Sequence, residues 1–359
     1  MRFDSRGYSL LEVLVATAVF AIFMIGILNL LDTSTRVSEV EKALSDTQEN
    51  VRFASYHIMR TARMVGGAAM PFADNSTGTP RWVAGGVINN ASGSTTTPFG
   101  TTVDVLDGTD VLMLRGFFEV PPFFVSRTDL SASPLQIVIR ETTSIQGSNV
   151  ISNPVGEVDV AGLEGRGLVF MGNLDQVQYS VGQIGSSPSL SGTSPNRTLT
   201  IPIEADGSTA AWWTALRPTG ATVPPTFDVY RVGVLENYLY YVSQNFELRR
   251  VRADSGTGAT DQPVAMNVGG LQIALGPDTN GDGVVDAGEW QITPTLAAAV
   301  NAPIIAIRIT VLGRTRDRVR DWQEPAATFA VEDLQLATVD RGARWRRMQV
   351  AATLRNFLF

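Results

Sequence analysis

The chain contains no cysteine, a single lysine (Lys42) and a single histidine (His57) in 359 residues. Without cysteine there is no disulfide, no thiolate metal site, no lipid-modified cysteine anchor and no cysteine nucleophile. One histidine excludes a histidine pair around a metal, and any Ser-His-Asp site would have to be built around His57. No glycine-rich phosphate loop stands between a strand and a helix. Basic excess is also missing. The net charge of −7 is the opposite of a phosphate-tracking surface, so no nucleic-acid partner is expected. A glycosidase-like carboxylate pair is the one hydrolytic arrangement that composition leaves open, and no spacing points to it. The expectation is a chain that is not an enzyme.

What is present is an apolar N-terminus. Tyr8 to Leu31 is a run of 24 residues in which Glu12 is the only charge. At about 1.5 Å per residue it spans a hydrocarbon core of about 30 Å. Arg2 and Arg6 precede it and Arg36 is the first arginine after it, which places the head of the chain in the cytoplasm and the bulk outside. A secretory signal has a shorter apolar core followed by a small-residue cleavage site, and none is found here. A lone carboxylate in such a segment is costly in lipid and calls for a partner. Further on, Val37, Val40, Leu44, Thr47, Val51, Ala54 and Ile58 recur at spacings of three and four, which predicts an amphipathic helix running to about Met64 and stopping at Gly66-Gly67.

Gly7-Tyr8-Ser9-Leu10-Leu11-Glu12, continued by Val13-Leu14-Val15-Ala16, resembles the processing site of type IV prepilins: a short leader ending in glycine, and glutamate at the fifth mature position. The resemblance implies cleavage between Gly7 and Tyr8 by a prepilin peptidase, then N-methylation of Tyr8. It also implies that Glu12 pairs with the N-terminal amine of a neighbouring subunit. Asp4 in the leader and Tyr8 in place of the commoner phenylalanine depart from the pattern. The implied organisation is a leader (1–7), a transmembrane or filament-core helix (8–31), an amphipathic stalk (32–65) and a periplasmic or extracellular β-rich head (66–359).

The head reads as α+β in the sense of a long helix packed on an antiparallel β domain. After Gly67, short β-prone runs alternate with Gly, Pro, Ser and Thr. Expected strands include Val103–Val105, Val111–Arg115, Gln136–Arg140, Thr198–Ile203, Thr226–Val234 and Tyr238–Ser243, with Leu235-Glu236-Asn237 as a tight turn between the last two. Ile88–Gly100 and Gly185–Asn196 are expected to be exposed loops. The arginines Arg314, Arg316, Arg318 and Arg320 read as a salt-bridge-laced ribbon, and Trp212-Trp213 as packing.

Residues 278–289 satisfy the twelve-residue calcium-loop pattern. Asp278, Asn280, Asp282, Asp286 and Glu289 supply side-chain oxygens, Val284 a backbone carbonyl, and Gly283 the sharp turn. The usual flanking helices are absent, so the expectation is a structural Ca2+ loop grafted between β elements.

The second half is similar to PilW-type minor pilins. The similar stretches are Tyr240-Tyr241-Val242, Leu248-Arg249-Arg250, Val268-Gly269-Gly270-Leu271-Gln272, Ile307-Arg308-Ile309 and Val350-Ala351-Ala352-Thr353-Leu354-Arg355-Asn356. That resemblance implies a subunit that primes pilus assembly and sits at the tip. The implied partners are other minor pilins, the major pilin, a large tip adhesin and the inner-membrane assembly platform. The alternative is a type II secretion pseudopilin of the J class, which is commonly much shorter.

Overall fold

The computed structural model describes residues 9–66, 70–75, 80–129, 135–145, 149–171, 179–204, 229–253, 260–319, 322–329, 331–334 and 340–354. Gly7, Tyr8, Trp212-Trp213, Arg320 and the closing Arg355-Asn356 lie outside the described residues.

One helix, α1 (Leu10–Ala62), carries the whole N-terminal segment. Its start is fixed by a reciprocal cap: Glu12 N–H donates to Ser9 Oγ at 3.2 Å, and Ser9 N–H donates to Glu12 Oε2 at 2.9 Å. Two otherwise orphaned helix-start donors are thereby satisfied. It ends at Arg63, three residues short of Gly66, which takes a left-handed φ of 73°. The first half of α1 is exposed along its length. The second half turns Val51, Ala54, Ile58 and Ala62 into the protein, each at 2% exposure or less. Full burial of a Val or Ile is worth about 1.5–3 kcal/mol, so Val51 and Ile58 are the main anchors of the stalk. The helix can come this close because residue 313 is glycine. A Cβ there would stand 2.1 Å from Val51 Cγ2 and 3.0 Å from Thr47 Cγ2.

Twelve strands of five or more residues are found among the described residues. In chain order they are β1 (Gly85–Thr96), β2 (Thr102–Gly116), β3 (Leu135–Arg140), β4 (Gly167–Met171), β5 (Tyr179–Gln183), β6 (Thr198–Ile203), β7 (Arg231–Val242), β8 (Glu247–Arg252), β9 (Thr260–Met266), β10 (Val268–Pro277), β11 (Ile304–Arg314) and β12 (Trp345–Thr353). All the pairings are antiparallel, as expected from the turn-rich sequence. The main sheet runs β5-β4-β7-β8-β9, with β2 also paired to β7 and β1 to β2. Strands β10-β11-β12 form a three-stranded sheet, and α1 lies on β11 and β12. A further sheet is built from Ser189–Ser191, β6, β3 and Arg127–Asp129.

These layers enclose two large apolar cores. The first joins the buried face of α1 to β1, β2, β7, β8, β10 and β11. The second is lined by Ile137, Ile139, Leu168, Phe170, Leu199, Ile201, Val232 and Val234, among others. Strand β4 separates them, sending Leu168 and Phe170 to one core and Val169 and Met171 to the other, which is why its five residues are all buried. Such a strand reads as a continuous apolar run rather than an alternation.

Two expectations are corrected. Leu235-Glu236-Asn237 is not a turn, because β7 runs straight through it. Glu236 is fully buried and accepts from the backbone N–H groups of Phe118 and Glu119, each at 2.7 Å, and from Arg166 and Arg252, each at 3.3 Å. Burial pushes its carboxyl above the usual range against the pull of those donors. Asn237 accepts from Arg115, a wholly buried arginine whose guanidinium also donates to Val83 O and stacks on Phe99. The second correction is Ile88–Gly100. Most of it is strand, since β1 pairs with β2 as far as Thr96.

Candidate functional site

The exposed half of α1 is the first candidate. Among the described residues α1 is the one helix long and apolar enough to cross a membrane, with a mean hydropathy of 2.5 over its best window and none of that window buried. Phe20 and Phe23 are 63% and 67% exposed. An apolar surface of this extent on all sides of a helix requires lipid or other helices around it. Within it, Glu12 bonds Ser9 through Oε2, and among the described residues Oε1 takes no hydrogen bond. Ser9 was not singled out in the sequence, although Ser-x-x-Glu ahead of an apolar run is a readable capping signal.

His57 serves packing. Its Nδ1 lies 3.1 Å from the Tyr240 hydroxyl, which in turn meets Thr61 Oγ1 at 2.8 Å. Burial, then the nearby Arg250 and Arg60, holds the imidazole below its ordinary pKa. Of the arginine ribbon, Arg314 and Arg318 both pair with Asp340, and Arg308 upstream of it pairs with Glu332.

The second candidate is the loop 278–289, which leaves the end of β10. Its base is pinned by reciprocal backbone bonds between Leu275 and Gln291, and by Asp278 N–H donating to Pro303 O. Asp278 Oδ1 accepts from the N–H groups of Gly281 and Asp282, and its Oδ2 from Gly283. Asn280 Oδ1 accepts from Asp282 N–H and Asp282 Oδ1 from Val284 N–H. Glu289 folds back across the loop onto Thr279 and the N–H of Asp286. Gly281 and Gly283 hold φ of 76° and 79°, the conformation that reserves these positions for glycine.

The donor set fits a hard cation. It consists of oxygens alone, and among the described residues no cationic side chain pairs with its four carboxylates. Each bonded carboxylate oxygen keeps lone-pair capacity. Among the described residues no three Asp, Glu or His side chains converge as a ready-made metal group. The loop therefore brings the predicted residues into one turn without clustering them.

Against known proteins, the family model described as the prokaryotic N-terminal methylation motif matches residues 2–28. That match covers Gly7, Tyr8, Glu12 and most of the apolar run, and it is the motif of prepilin-type processing. The N-terminus of this chain therefore carries a prepilin-type methylation motif. No curated protein sequence matches it. Among solved structures, a type IV-like pilin from Thermus thermophilus aligns over 55% of this chain and 87% of its own, at 15% identity and a TM-score of 0.24. A likeness that slight carries no argument. The fold stands on the helix and strands described above.

Proposed function

We propose that this chain is a minor pilin of the PilW type, which primes pilus assembly and takes a place in the tip complex. The observation that carries the reading is where the PilW-like stretches fall. Tyr240-Tyr241-Val242 lies in β7, Leu248-Arg249-Arg250 in β8, Val268–Gln272 in β10, Ile307-Arg308-Ile309 in β11 and Val350–Thr353 in β12. These strands contribute to the core on which α1 is seated. The resemblance therefore falls on strands that share the core beneath α1.

On this reading the bare half of α1 holds the protein in the inner membrane and then joins the helical core of the filament. The partners are other minor pilins, the major pilin, the assembly platform and a large adhesin at the tip. The loop 278–289 takes Ca2+ through Asp278, Asn280, Asp282, the Val284 carbonyl, Asp286 and Glu289, and so braces a long connection in a head without disulfides.

Deleting the gene tests the assignment. Loss of surface pili with normal export of exoproteins is the expected result. Normal pili with blocked export would assign the chain to a type II secretion system.

A further inference from the structure

The outer edge of the three-stranded sheet is open. Strand β12 pairs with β11 without a register shift, from Thr353 opposite Ala306 to Trp345 opposite Arg314. At the two ends of this ladder Leu354 N–H donates to Ile305 O, and Thr315 N–H donates to Arg344 O. Even-numbered residues of β12 therefore bond β11, because hydrogen-bonded pairs alternate along an antiparallel ladder. The odd-numbered ones turn their N–H and C=O groups outward. On that side Trp345 N–H is capped by Glu324 Oε2 at 3.2 Å. Beyond it, Arg347, Gln349, Ala351 and Thr353 present theirs to no other strand among the described residues.

A groove lies beside this edge. Its volume is about 740 Å³, and it is walled by Phe53, Tyr56 and Met59 of α1 and by Met348 and Val350 of β12. Phe53 and Tyr56 are 52% and 59% exposed, although the other side of the same helical turns is buried as Ala54 and Ile58. The rim is cationic. β12 contains two arginines and no carboxylate, and Arg52 lines the groove from the helix, where Glu49 is the one acid. Arg346 Nη1 donates to the Trp345 carbonyl, and among the described residues none of Arg52, Arg346 and Arg347 forms an ion pair. A bare strand edge is a template for another strand, and proteins that keep one commonly guard it with charge. Here the charge is of one sign, so it repels a second copy of β12 and admits a strand of the opposite sign.

We propose that an extended, acidic segment of a neighbouring subunit adds to β12 as a fourth strand of this sheet and lays its apolar side chains in the groove against Phe53 and Tyr56. Backbone bonds at Arg347, Gln349, Ala351 and Thr353 supply the affinity, and the groove and the arginines supply the selectivity. The groove opens on the same helix whose bare first half needs lipid or other helices around it, so a subunit packed along α1 arrives beside it. The identity of the neighbour rests on the pilin reading; the groove and the strand edge do not.

The test is fluorescence anisotropy on the full-length chain in detergent, with a short labelled peptide of alternating valine and glutamate as the probe. The peptide should bind, and its lysine-for-glutamate counterpart should bind more weakly by about tenfold or more. Ala351→Pro removes an outward N–H and leaves the β11 ladder whole. It should weaken binding by about tenfold, the order of one backbone hydrogen bond. Arg346→Glu with Arg347→Glu should reverse the preference between the peptides, and decides the matter if circular dichroism shows the proline variant unfolded. In cells, Ala351→Pro should stay in the membrane and be depleted from sheared filaments. No binding of the glutamate peptide, equal binding of both peptides, or undiminished binding and recruitment of a folded Ala351→Pro would overturn the proposal. Self-association of the chain that Ala351→Pro abolishes would assign the edge to a second copy and overturn it as well. A wild type that binds as expected but is absent from filaments would uphold the groove and overturn the pilin reading.

Discussion

Glu12→Ala is expected to leave membrane insertion intact and to deplete the protein from filaments by about a hundredfold or more, up to several thousandfold. Breaking one side of a charge pair in a low-dielectric helix bundle costs about 3–5 kcal/mol, which sets that scale. Alanine also removes the bond from Ser9 N–H to the Glu12 carboxylate, one half of the capping box, so it does not by itself separate the two roles of the carboxylate. Glu12→Gln does separate them. Glutamine keeps the capping geometry but carries no charge to meet a partner amine. Fractionating cells and probing sheared filaments should find Glu12→Gln as depleted as Glu12→Ala. Recruitment of the glutamine variant at wild-type level would reduce Glu12 to a helix cap.

Removing calcium should lower the melting temperature of the head. A ligand that binds only the folded state adds about 2.7 kcal/mol at a hundredfold excess over Kd, which corresponds to about 5 °C for a domain of this size class. Four carboxylates in twelve residues repel one another unless a cation screens them, and no disulfide shares the work. Scanning calorimetry in chelator and in millimolar calcium reads the effect. Asp278→Ala with Glu289→Ala should abolish the calcium dependence, and magnesium should substitute poorly because it demands tighter octahedral geometry. Equal melting temperatures in chelator and in millimolar calcium would reduce the loop to an acidic turn.

The N-terminal helix was legible in the sequence because its causes are local: an unbroken apolar run, then a three-four spacing of apolar residues. Strands such as Thr198–Ile203 were legible for the same reason, with β-branched residues between turn formers. The errors lie where burial is conferred from far away. Glu236-Asn237 looks like a turn until Arg166 and Arg115 are brought against it, from 70 and 122 positions off in sequence. β1 is rich in Asn, Ser and Thr and reads as a loop, because its ladder depends on β2 rather than on its own apolar content. The Asn89-Asn90 bulge had no local signal at all, since its partner Asp333 lies 244 residues beyond Asn89. The turn at 278–289 was legible as a motif because its oxygen-bearing residues sit within twelve consecutive positions. What sequence did not reveal is that Glu289 lies across Thr279.

The central claim, a prepilin-type subunit whose apolar helix becomes a filament element, is tested most directly by the intact mass of the protein recovered from its native membrane. The account predicts a chain that has lost seven residues, begins at Tyr8 and carries one N-terminal methyl group. A mature chain beginning beyond residue 20 would mean ordinary signal-peptide cleavage through α1 and would contradict it.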